Sequence, residues 1–388
     1  MDVKELKEII DRGEDSQHQF KELFSSSDAL SSELVAFSNS LGGMIIVGVK
    51  DNGSIVGLTN DSVRHLNNML SNVASEGVKP AINPVTEIIK IEEQKLMIIY
   101  VTKGLNKPYQ DKNGIIWIKV GADKRKATSR EELQRIFQNS GMIHGDIMPA
   151  EGLTIDDVDM LYFEKFYNKR YESNLKSLDI PLANLFNNLY LAKDGYLNLT
   201  GALIFAKNPE YRLPVYIVKS VVYPFNTITE DTYIDSRDMT GKLEEIYNKT
   251  ITFIMNNIHY IQGNQGVNSV GQPEIPRIVF EELLVNALVH RDYYISAPVK
   301  VFIFKDRIEI INPGNLPNNL TIENIKGGNS NVKNPVLASF AYHILPYRGI
   351  GSGIMRALKE YPNIEFVNDL KNNCFKCVIK RKTLPGQT

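Results

Sequence analysis

The strongest constraint on the fold is a polar stripe in residues 280–293, where Glu282, Asn286 and His290 follow one another at steps of four residues. Because residues four apart lie one above the other on an α-helix, these side chains share one face. Leucines and an alanine occupy the other side, which favours burial against a core. The segment therefore predicts a rigid helix that presents a carboxylate, an amide and an imidazole to a cavity.

These three groups suit the binding of a nucleotide. Asn286 and His290 offer polar contacts to a phosphate-bound Mg²⁺, and Glu282 is placed to activate a water for attack on phosphorus. We therefore assign Glu282 as the candidate catalytic base and Asn286 as the candidate Mg²⁺ ligand. The alternative is an amphipathic helix with its polar residues in water, which is the commoner origin of this spacing.

Further candidate contacts follow at the end of a predicted strand. Residues 308–317 alternate in polarity and run through the turn from Asn312 to Gly314, where a glycine lets a ligand approach the backbone. Asn312 and Gly314 are therefore candidates for nucleotide binding. Lys333 and Asn334, which come later in the chain, are candidates for contact with phosphate.

Three glycines at alternate positions precede a predicted helix that begins near Ile354. Their N–H groups are unobstructed and lie at the positive end of the helix, an arrangement that binds phosphate. The candidate residues of this segment are Arg348, Gly349, Gly351, Ser352 and Gly353. Alone, such a glycine pattern commonly marks a loop. The polar stripe, the turn and the glycines in this order are together a more specific indication of a nucleotide-binding site.

These residues resemble the GHKL (Bergerat-fold) ATPases, in which a Glu-x-x-x-Asn helix, an Asp-x-Gly turn and a glycine-rich lid enclose Mg²⁺-ATP. Residues 286–293, with Asn312-Pro-Gly and residues 348–353, are most similar to the divergent GHKL module of RecG-like transcriptional regulators. The resemblance implies ATP and Mg²⁺ as cofactors and a lid in residues 317–347. Where the superfamily has an Asp for the adenine amino group, Asn312 accepts the same hydrogen bond without a charge.

The N-terminal region carries a second pattern. It predicts a helix, a break at Gly42-Gly43, a buried strand from Met44 to Val49 and a hairpin turn at Asn52-Gly53. With Phe20-Lys-Glu before it, this pattern resembles the AlbA_2 (Schlafen-like) domain that precedes the GHKL module in RecG-like regulators. The resemblance implies a domain that engages nucleic acid.

In Schlafen-type nucleases this domain cuts RNA with carboxylates from a Glu-x-x-x-x-Glu-Phe-Lys motif and a Gly-Val-Asp-Asp turn. Here the second Glu of the motif is Gln19 and the first Asp of the turn is Lys50, so two metal-binding charges are lost. We therefore expect binding of nucleic acid without cleavage. The alternative is a metal-dependent nuclease effector, for example in phage defence, that uses Glu14, Glu22 and Asp51.

Binding without cleavage requires only basic side chains and backbone N–H groups. The candidates are Lys21, Lys119, Lys124, Arg125, Lys126 and Arg130. With 44 basic and 45 acidic residues the chain has no overall cationic field, so the affinity must come from a local, salt-sensitive patch. A solvated charged face is the alternative. We expect DNA rather than RNA as the partner, and a homo-oligomer.

The length of 388 residues and the 43% hydrophobic content predict two or three domains with cores of their own. We expect an α+β chain with an AlbA_2 domain in residues 1–148, an α/β connector in residues 149–262 and a GHKL α/β sandwich in residues 263–388. The polar, glycine-rich residues 262–272 are the predicted joint. We expect no winged helix after the last predicted strand, and we therefore assign DNA contact to the AlbA_2 domain.

Cys374 and Cys377 lie in a predicted strand, where an offset of three residues sends their side chains to opposite faces, so zinc is not expected. Two thiols of this kind fit a reducing compartment. The chain shows no apolar run of membrane-spanning length and no apolar signal segment. We expect a cytoplasmic protein in which the nucleotide site controls the nucleic-acid-binding domain; a third possibility is that both modules serve only as interaction surfaces.

Overall fold

The structure is a computed structural model that describes residues 1–228, 231–262, 271–317 and 320–381. Its contacts divide the chain into two compact units, an N-terminal unit of residues 1–143 and a C-terminal unit of residues 144–388. Within the described residues both units combine helices with mixed sheets, which confirms the predicted α+β class. No described helix is both long enough and apolar enough to cross a membrane.

The N-terminal unit is built around a four-stranded sheet. Its elements are α1 (Val3–Arg12), β1 (His18–Lys21), α2 (Ser27–Asn39), β2 (Gly43–Val47), α3 (Asn60–Asn72), β3 (Val78–Lys79), β4 (Val85–Ile91), β5 (Gln94–Val101), β6 (Gln110–Asp111), β7 (Trp117–Val120), β8 (Asp123–Lys126) and α4 (Arg130–Asn139). The strand order is β1-β2-β5-β4, with β1 and β2 parallel and the other pairs antiparallel. Helices α2 and α3 contribute to the core on one side of the sheet and α1 to the core on the other.

The predicted glycine break and hairpin turn are both present, but the second strand of the hairpin is reduced to one residue pair. At Gly43 a Cβ atom would lie 2.3 Å from the carbonyl oxygen of Gln17, so only glycine permits this approach. Gly53 adopts a φ of 84° in the turn, and a single isolated bridge joins Val49 to Ile55. The regular strand therefore ends at Val47, before the position predicted.

The C-terminal unit contains the remaining elements. They are β9 (Pro149–Thr154), α5 (Met160–Tyr171), α6 (Leu182–Asn188), β10 (Ala192–Lys193), β11 (Tyr196–Asn198), α7 (Leu199–Phe205), β12 (Val218–Val222), β13 (Asp235–Met239), α8 (Leu243–Asn256), β14 (Tyr260–Ile261), β15 (Gln272–Pro273), α9 (Arg277–His290), β16 (Val299–Ile303), β17 (Arg307–Pro313), α10 (Ile322–Lys326), α11 (Pro335–Ile344), α12 (Gly353–Glu360), β18 (Ile364–Asp369) and β19 (Cys374–Lys380).

A six-stranded sheet organises this unit, in the order β13-β12-β16-β17-β19-β18. Only β12 and β16 pair in parallel. Strands β12 and β13 come from the range predicted as a connector, and β16 to β19 come from the range predicted as the GHKL domain, so in the structure these two ranges share one sheet and one core. Most of the predicted joint, residues 263–270, lies outside the described residues.

Candidate functional site

The polar stripe of α9 lines a cleft in the C-terminal unit. The cleft encloses about 1010 Å³, part of it open to solvent. Glu282, Asn286 and His290 all contribute to its wall. Its other walls come from β17 and β19, from residues 325–333 and from residues 347–356. The structure therefore brings the helix, the turn and the glycine segment predicted from the sequence to one place.

The glycine segment packs tightly against two other parts of the cleft. At Gly351, which has a φ of 73°, a Cβ atom would lie 2.1 Å from the carbonyl oxygen of Gly328. At Gly353, the first residue of α12, a Cβ atom would lie 2.6 Å from Oε2 of Glu282 and 3.2 Å from Nδ2 of Asn286. Glycines at these positions therefore let the N-terminus of α12 approach the side chains of α9 directly.

The start of α12 carries N–H groups without side-chain partners. Ser352 occupies the N-cap position, but its side chain forms no capping hydrogen bond. The first N–H groups of a helix have no intrahelical acceptor and lie at the positive end of its dipole. The segment therefore offers backbone donors to an anion in the cleft.

Glu282 is buried and forms an ion pair with Arg356 of α12, with 2.7 Å between Oε1 and Nη2. Burial raises the pKa of the Glu282 carboxyl, and the guanidinium of Arg356 opposes that rise. Arg356 is not among the residues predicted from the sequence. The signal available was its position three residues after Gly353, which places it next to the first turn of the same helix.

Two further cations line the cleft. The Lys333 ammonium donates a hydrogen bond to the carbonyl oxygen of Asn315, and burial lowers the pKa of Lys333. The Arg348 side chain lines the cleft, is exposed, and forms no salt bridge with a described residue. Together with Arg356 these residues give the cleft a positive balance that the single carboxylate of Glu282 does not cancel.

His290 lies beside Tyr347, whose hydroxyl is 3.2 Å from Nε2 of the imidazole. Burial, with a smaller contribution from the charge of Lys333, lowers the pKa of His290 to about 4. The imidazole is therefore neutral at physiological pH. In the cleft it is a hydrogen-bonding group and not a cation for phosphate.

The floor of the cleft is apolar except for one amide. Ile310 and Asn312 of β17 lie beside Phe375 and Cys377 of β19. Burial raises the pKa of the Cys377 thiol to about 12, so this cysteine is a neutral, apolar part of the floor. Asn312 is 8% exposed, and its Oδ1 accepts no hydrogen bond from a described residue.

Asn334 has a different role from the one expected, and Gly314 has a structural role besides the predicted one. Asn334 does not line the cleft; its Nδ2 donates to the carbonyl oxygens of Val289 and Arg291, both at 2.8 Å, so its amide is committed to the end of α9. Gly314 lines the cleft, but its φ of 93° allows a close approach to Asp292, where a Cβ atom would lie 2.5 Å from the Asp292 Cβ. The glycine is therefore required by the protein's own packing.

In the N-terminal unit, two of the predicted phosphate-binding lysines are engaged internally. The Lys119 ammonium donates to Oε1 of Gln19 and lies 4.9 Å from the ring centre of Phe37. Burial lowers the pKa of Lys119, and nearby carboxylates oppose that effect. Lys124 forms an ion pair at 2.7 Å with the buried Glu33. Neither ammonium is free for nucleic acid, because each compensates buried polar groups of the domain.

The other predicted cations lie nearer to solvent. Arg125 forms hydrogen bonds of 2.8 and 2.6 Å to the Glu132 carboxylate, and Lys21 forms an ion pair at 3.7 Å with Asp51. Lys126 and Arg130 are exposed, and no salt bridge to a described side chain holds either of them. Of the predicted patch, these last two are the available cations.

The carboxylates of the alternative nuclease site are separately engaged. Glu14 accepts hydrogen bonds from the Gln19 side chain and from the backbone N–H of Phe20, the latter at 2.7 Å. Glu22 lies 4.0 Å from the Lys50 ammonium, and Asp51 pairs with Lys21 as described above. Among the described residues no three His, Cys, Asp or Glu side chains form a group that could hold a metal ion.

Comparisons with known families agree with the resemblances seen in the sequence. Residues 14–128 match the family described as "Schlafen, AlbA_2", and residues 296–370 match the family described as "Putative ATP-dependent DNA helicase recG C-terminal". The predicted resemblance is thereby confirmed for both regions. The second match includes Asn312 and the glycine segment, whereas α9 precedes it. No curated protein matches the chain.

Two solved structures are similar to this chain. The DIP2311 protein from Corynebacterium diphtheriae is 17% identical, with a TM-score of 0.47, over 98% of this chain and 80% of that chain. The N-terminal domain of a RecG-related protein from Nitrosomonas europaea, described as a "Putative ATP-dependent DNA Helicase", is 22% identical, with a TM-score of 0.25. That similarity covers 32% of this chain and 88% of that domain.

Proposed function

We propose that this chain, which joins an AlbA_2 domain of the Schlafen type to a domain of the RecG C-terminal type, is an ATP-binding protein that engages nucleic acid. The observation that carries the proposal is the meeting of Gly353 with Glu282 and Asn286 in the cleft. A helix N-terminus without side-chain caps, placed against a carboxylate and an amide, suits a triphosphate and its cation.

The charge and the lining of the cleft suit a nucleotide. The N-terminus of α12, Lys333 and Arg348 supply donors and positive charge for phosphates, while the apolar floor suits an aromatic base. Ser352, Gly349 and Gly351 belong to the proposed phosphate-binding segment.

Asn286 fits the role of a Mg²⁺ ligand. Its side chain faces the first residue of α12 and forms no hydrogen bond with a described residue, so its amide oxygen is available. Mg²⁺ in nucleotide sites keeps several waters and is held in part by phosphate oxygens, so the protein needs to supply only a few of its ligands. The ion would neutralise phosphate charge beside Glu282.

Glu282 is the proposed base for hydrolysis, and its ion pair with Arg356 supports slow turnover. A carboxylate that is engaged by a guanidinium is a poorer proton acceptor than a free one. Arg356 must move, or share its donors with a phosphate, before Glu282 activates water. The site is therefore better suited to sustained ATP binding than to rapid hydrolysis.

We further propose that ATP regulates how the N-terminal unit engages nucleic acid, with DNA as the preferred partner. Lys126 and Arg130 are the proposed phosphate contacts, because they are exposed and unpaired with any described carboxylate. Equilibrium binding of labelled DNA and RNA, with and without Mg-ATP, tests both the preference and the regulation. Assembly into a homo-oligomer is a further prediction, and light scattering with and without ATP tests it.

Thermal unfolding with Mg²⁺ and ATP, ADP or a non-hydrolysable ATP analogue tests the nucleotide site. A ligand at about 100 times its Kd stabilises by about 2.7 kcal/mol, which corresponds to a rise in Tm of about 5–10 °C for a unit of this size. We expect Asn286→Ala to abolish most of the rise. Asn187→Ala, an exposed helical asparagine in the same unit, is the matched control and should retain it.

A second measurement separates binding from turnover. Glu282→Ala should keep the Tm rise with ATP and lose phosphate release. Unchanged phosphate release would remove Glu282 from the role of base and leave the binding proposal intact. No Tm rise with any adenine nucleotide in the wild-type protein would refute the binding proposal itself.

A further inference from the structure

Asn312 is a buried amide without a partner at the bottom of the cleft. It lies in β17 opposite Phe375 of β19, and 8% of its surface is exposed. Its Oδ1 is inaccessible to water and accepts no hydrogen bond from any residue that the structure describes. No hydrogen bond from its Nδ2 to a described residue is present either. Buried polar groups are normally paired, so this amide points to a ligand.

The surroundings of Asn312 restrict what that ligand can be. Leu283, Ala287, Ile310 and Phe375 line the same cleft as the amide, and Phe375 lies opposite Asn312 in the sheet. An aromatic ring that enters this apolar part of the cleft gains from burial, and a polar edge on the ring can pair with Asn312. The phosphate-binding segment lies in the same cleft, so the ring and the phosphates belong to one molecule.

The orientation of the Asn312 amide is not fixed by the protein. By contrast, the Asn334 amide is held by two carbonyl oxygens, and Nδ2 of Asn315 donates to Oδ1 of Asn373 at 2.8 Å. Because the oxygen and the NH₂ group of an asparagine have nearly the same shape, Asn312 can turn over without a change in packing. The bound ligand therefore determines whether the oxygen or the NH₂ group of Asn312 faces a given atom on the polar edge of its ring.

A freely turning amide matches two purine edges equally well. Adenine offers a donor at its 6-amino group and an acceptor at N1, and the amide oxygen and NH₂ group complement them. A 6-oxopurine offers the reverse, an acceptor at O6 and a donor at N1, and the same amide complements these after turning over. A carboxylate at this position would lack the donor, so it would match only one position of either edge and repel the acceptor at the other, N1 of adenine or O6 of a 6-oxopurine.

We propose that Asn312 makes the cleft a site for purine nucleoside triphosphates of both classes, 6-amino and 6-oxo, with affinities within tenfold of each other. This inference rests on the proposed function, since it requires that the cleft binds the triphosphate. It extends that function, because ATP is then one of two accepted substrate classes.

Inosine triphosphate is the sharpest probe, because its base differs from adenine only at position 6 and in the hydrogen on N1. Guanine also carries a 2-amino donor, which a carboxylate can accept. We would measure the Kd values of Mg-ATP and Mg-ITP by calorimetry on the full chain, for the wild type, Asn312→Asp and Asn312→Ala. The melting temperature of each variant without nucleotide reports whether it is folded.

In the wild type the two Kd values should lie within tenfold of each other. Asn312→Asp, which lacks the amide donor, should weaken both nucleotides, and Asn312→Ala should weaken both by about the same factor. If Asn312→Asp does not fold, the wild type and Asn312→Ala still decide the matter. A wild-type preference of more than tenfold for ATP, or variants that leave both Kd values unchanged, would overturn the inference while the proposed function stands. Failure of the wild type to bind either nucleotide would instead refute the proposed function.

Discussion

Oε1 of Glu282 lies 2.7 Å from Nη2 of Arg356, so an ion pair joins the middle of α9 to α12. The Glu282 side chain is 8% exposed and the Arg356 side chain 29% exposed, so the pair is largely removed from solvent. This contact holds the helix that follows the glycine segment against the helix that carries the polar stripe. Glu282 is also the proposed base, and the guanidinium of Arg356 makes it a poorer proton acceptor.

Removal of Arg356 should destabilise the protein, because it leaves a buried carboxylate without its partner. We expect Arg356→Ala to lower the free energy of unfolding by about 2 kcal/mol, less than for a fully buried pair since the guanidinium is partly exposed. In the double variant Glu282→Gln with Arg356→Ala most of that loss should be recovered. Chemical denaturation of the wild type, of the single variants Arg356→Ala and Glu282→Gln and of the double variant measures the coupling.

A matched control lies on α9, the helix that carries Glu282. Arg277 and Glu281 also form an ion pair at 2.7 Å, but the Arg277 side chain is 56% exposed. Arg277→Ala should therefore cost less than about 0.5 kcal/mol. Equal losses for Arg277→Ala and Arg356→Ala would mean that burial of the Glu282 pair has no energetic consequence.

The sequence predicted the stripe of α9 because three residues within one helix share a period that can be seen locally. The helix runs from Arg277 to His290, and all three stripe residues line one cleft. Arg356 was missed because its partner lies on a distant element, and no local period connects the two. For the same reason Asn334 was assigned to phosphate although its amide closes the end of α9.

Gly351 and Gly349 provide a test of the glycine segment, since both adopt a positive φ, 73° and 69° respectively. A Cβ atom at Gly351 would lie 2.1 Å from the Gly328 carbonyl oxygen, whereas the nearest atom at Gly349 would be 3.6 Å away. We expect Gly351→Ala to abolish the Tm rise with Mg-ATP and Gly349→Ala to retain most of it. Both variants share a backbone strain of about 1 kcal/mol. They differ only in the steric clash of the added Cβ atom with the Gly328 carbonyl oxygen, which occurs at position 351 alone.

The melting temperatures of the two alanine variants without nucleotide serve as a control. The melting temperature without nucleotide should fall in both, and further in Gly351→Ala. If the two variants lose the nucleotide response to the same extent, then backbone strain, and not the contact between Gly351 and Gly328, governs the site.

The low pKa of His290 predicts how the stability of the protein depends on pH. Its pKa in the folded protein is about 4, against about 6.5 in an unfolded chain, so the unfolded state binds the proton more tightly. Its contribution to stability is therefore complete above pH 6.5 and is lost as the pH falls towards 4, by at most about 1.4 kcal/mol for each pH unit. His290→Gln cannot be protonated and keeps a polar partner for Tyr347.

The measurement is the free energy of unfolding of the wild type and of His290→Gln at pH 7.5, 6.0 and 5.0. The carboxylates titrate alike in both proteins, so the difference between the two curves belongs to His290. We expect the wild type to lose more stability than the variant on acidification. Parallel curves would contradict a buried, neutral imidazole.

The N-terminal unit shows why a run of basic residues is hard to interpret from sequence. Lys119 and Lys124 belong to the same hairpin as Lys126, yet they meet Gln19 and Glu33 from β1 and α2. Such partners are brought together only by the tertiary fold, so charge spacing alone does not separate an internal lysine from a surface one. The turn and the glycine break of this unit were predictable because they depend on backbone conformation alone.

The exposed pair Lys126 and Arg130 yields the last prediction. If each contacts one phosphate, Lys126→Gln with Arg130→Gln should weaken DNA binding and reduce the slope of log K against log salt by about 2. Lys124→Gln serves as the contrast, because it should lower stability by leaving Glu33 unpaired. Fluorescence anisotropy between 50 and 200 mM salt measures the slopes. An unchanged slope in the double variant would mean that nucleic acid binds at another surface of the chain. A reduced slope in Lys124→Gln, with the variant fully folded, would mean that Lys124 contacts nucleic acid after all.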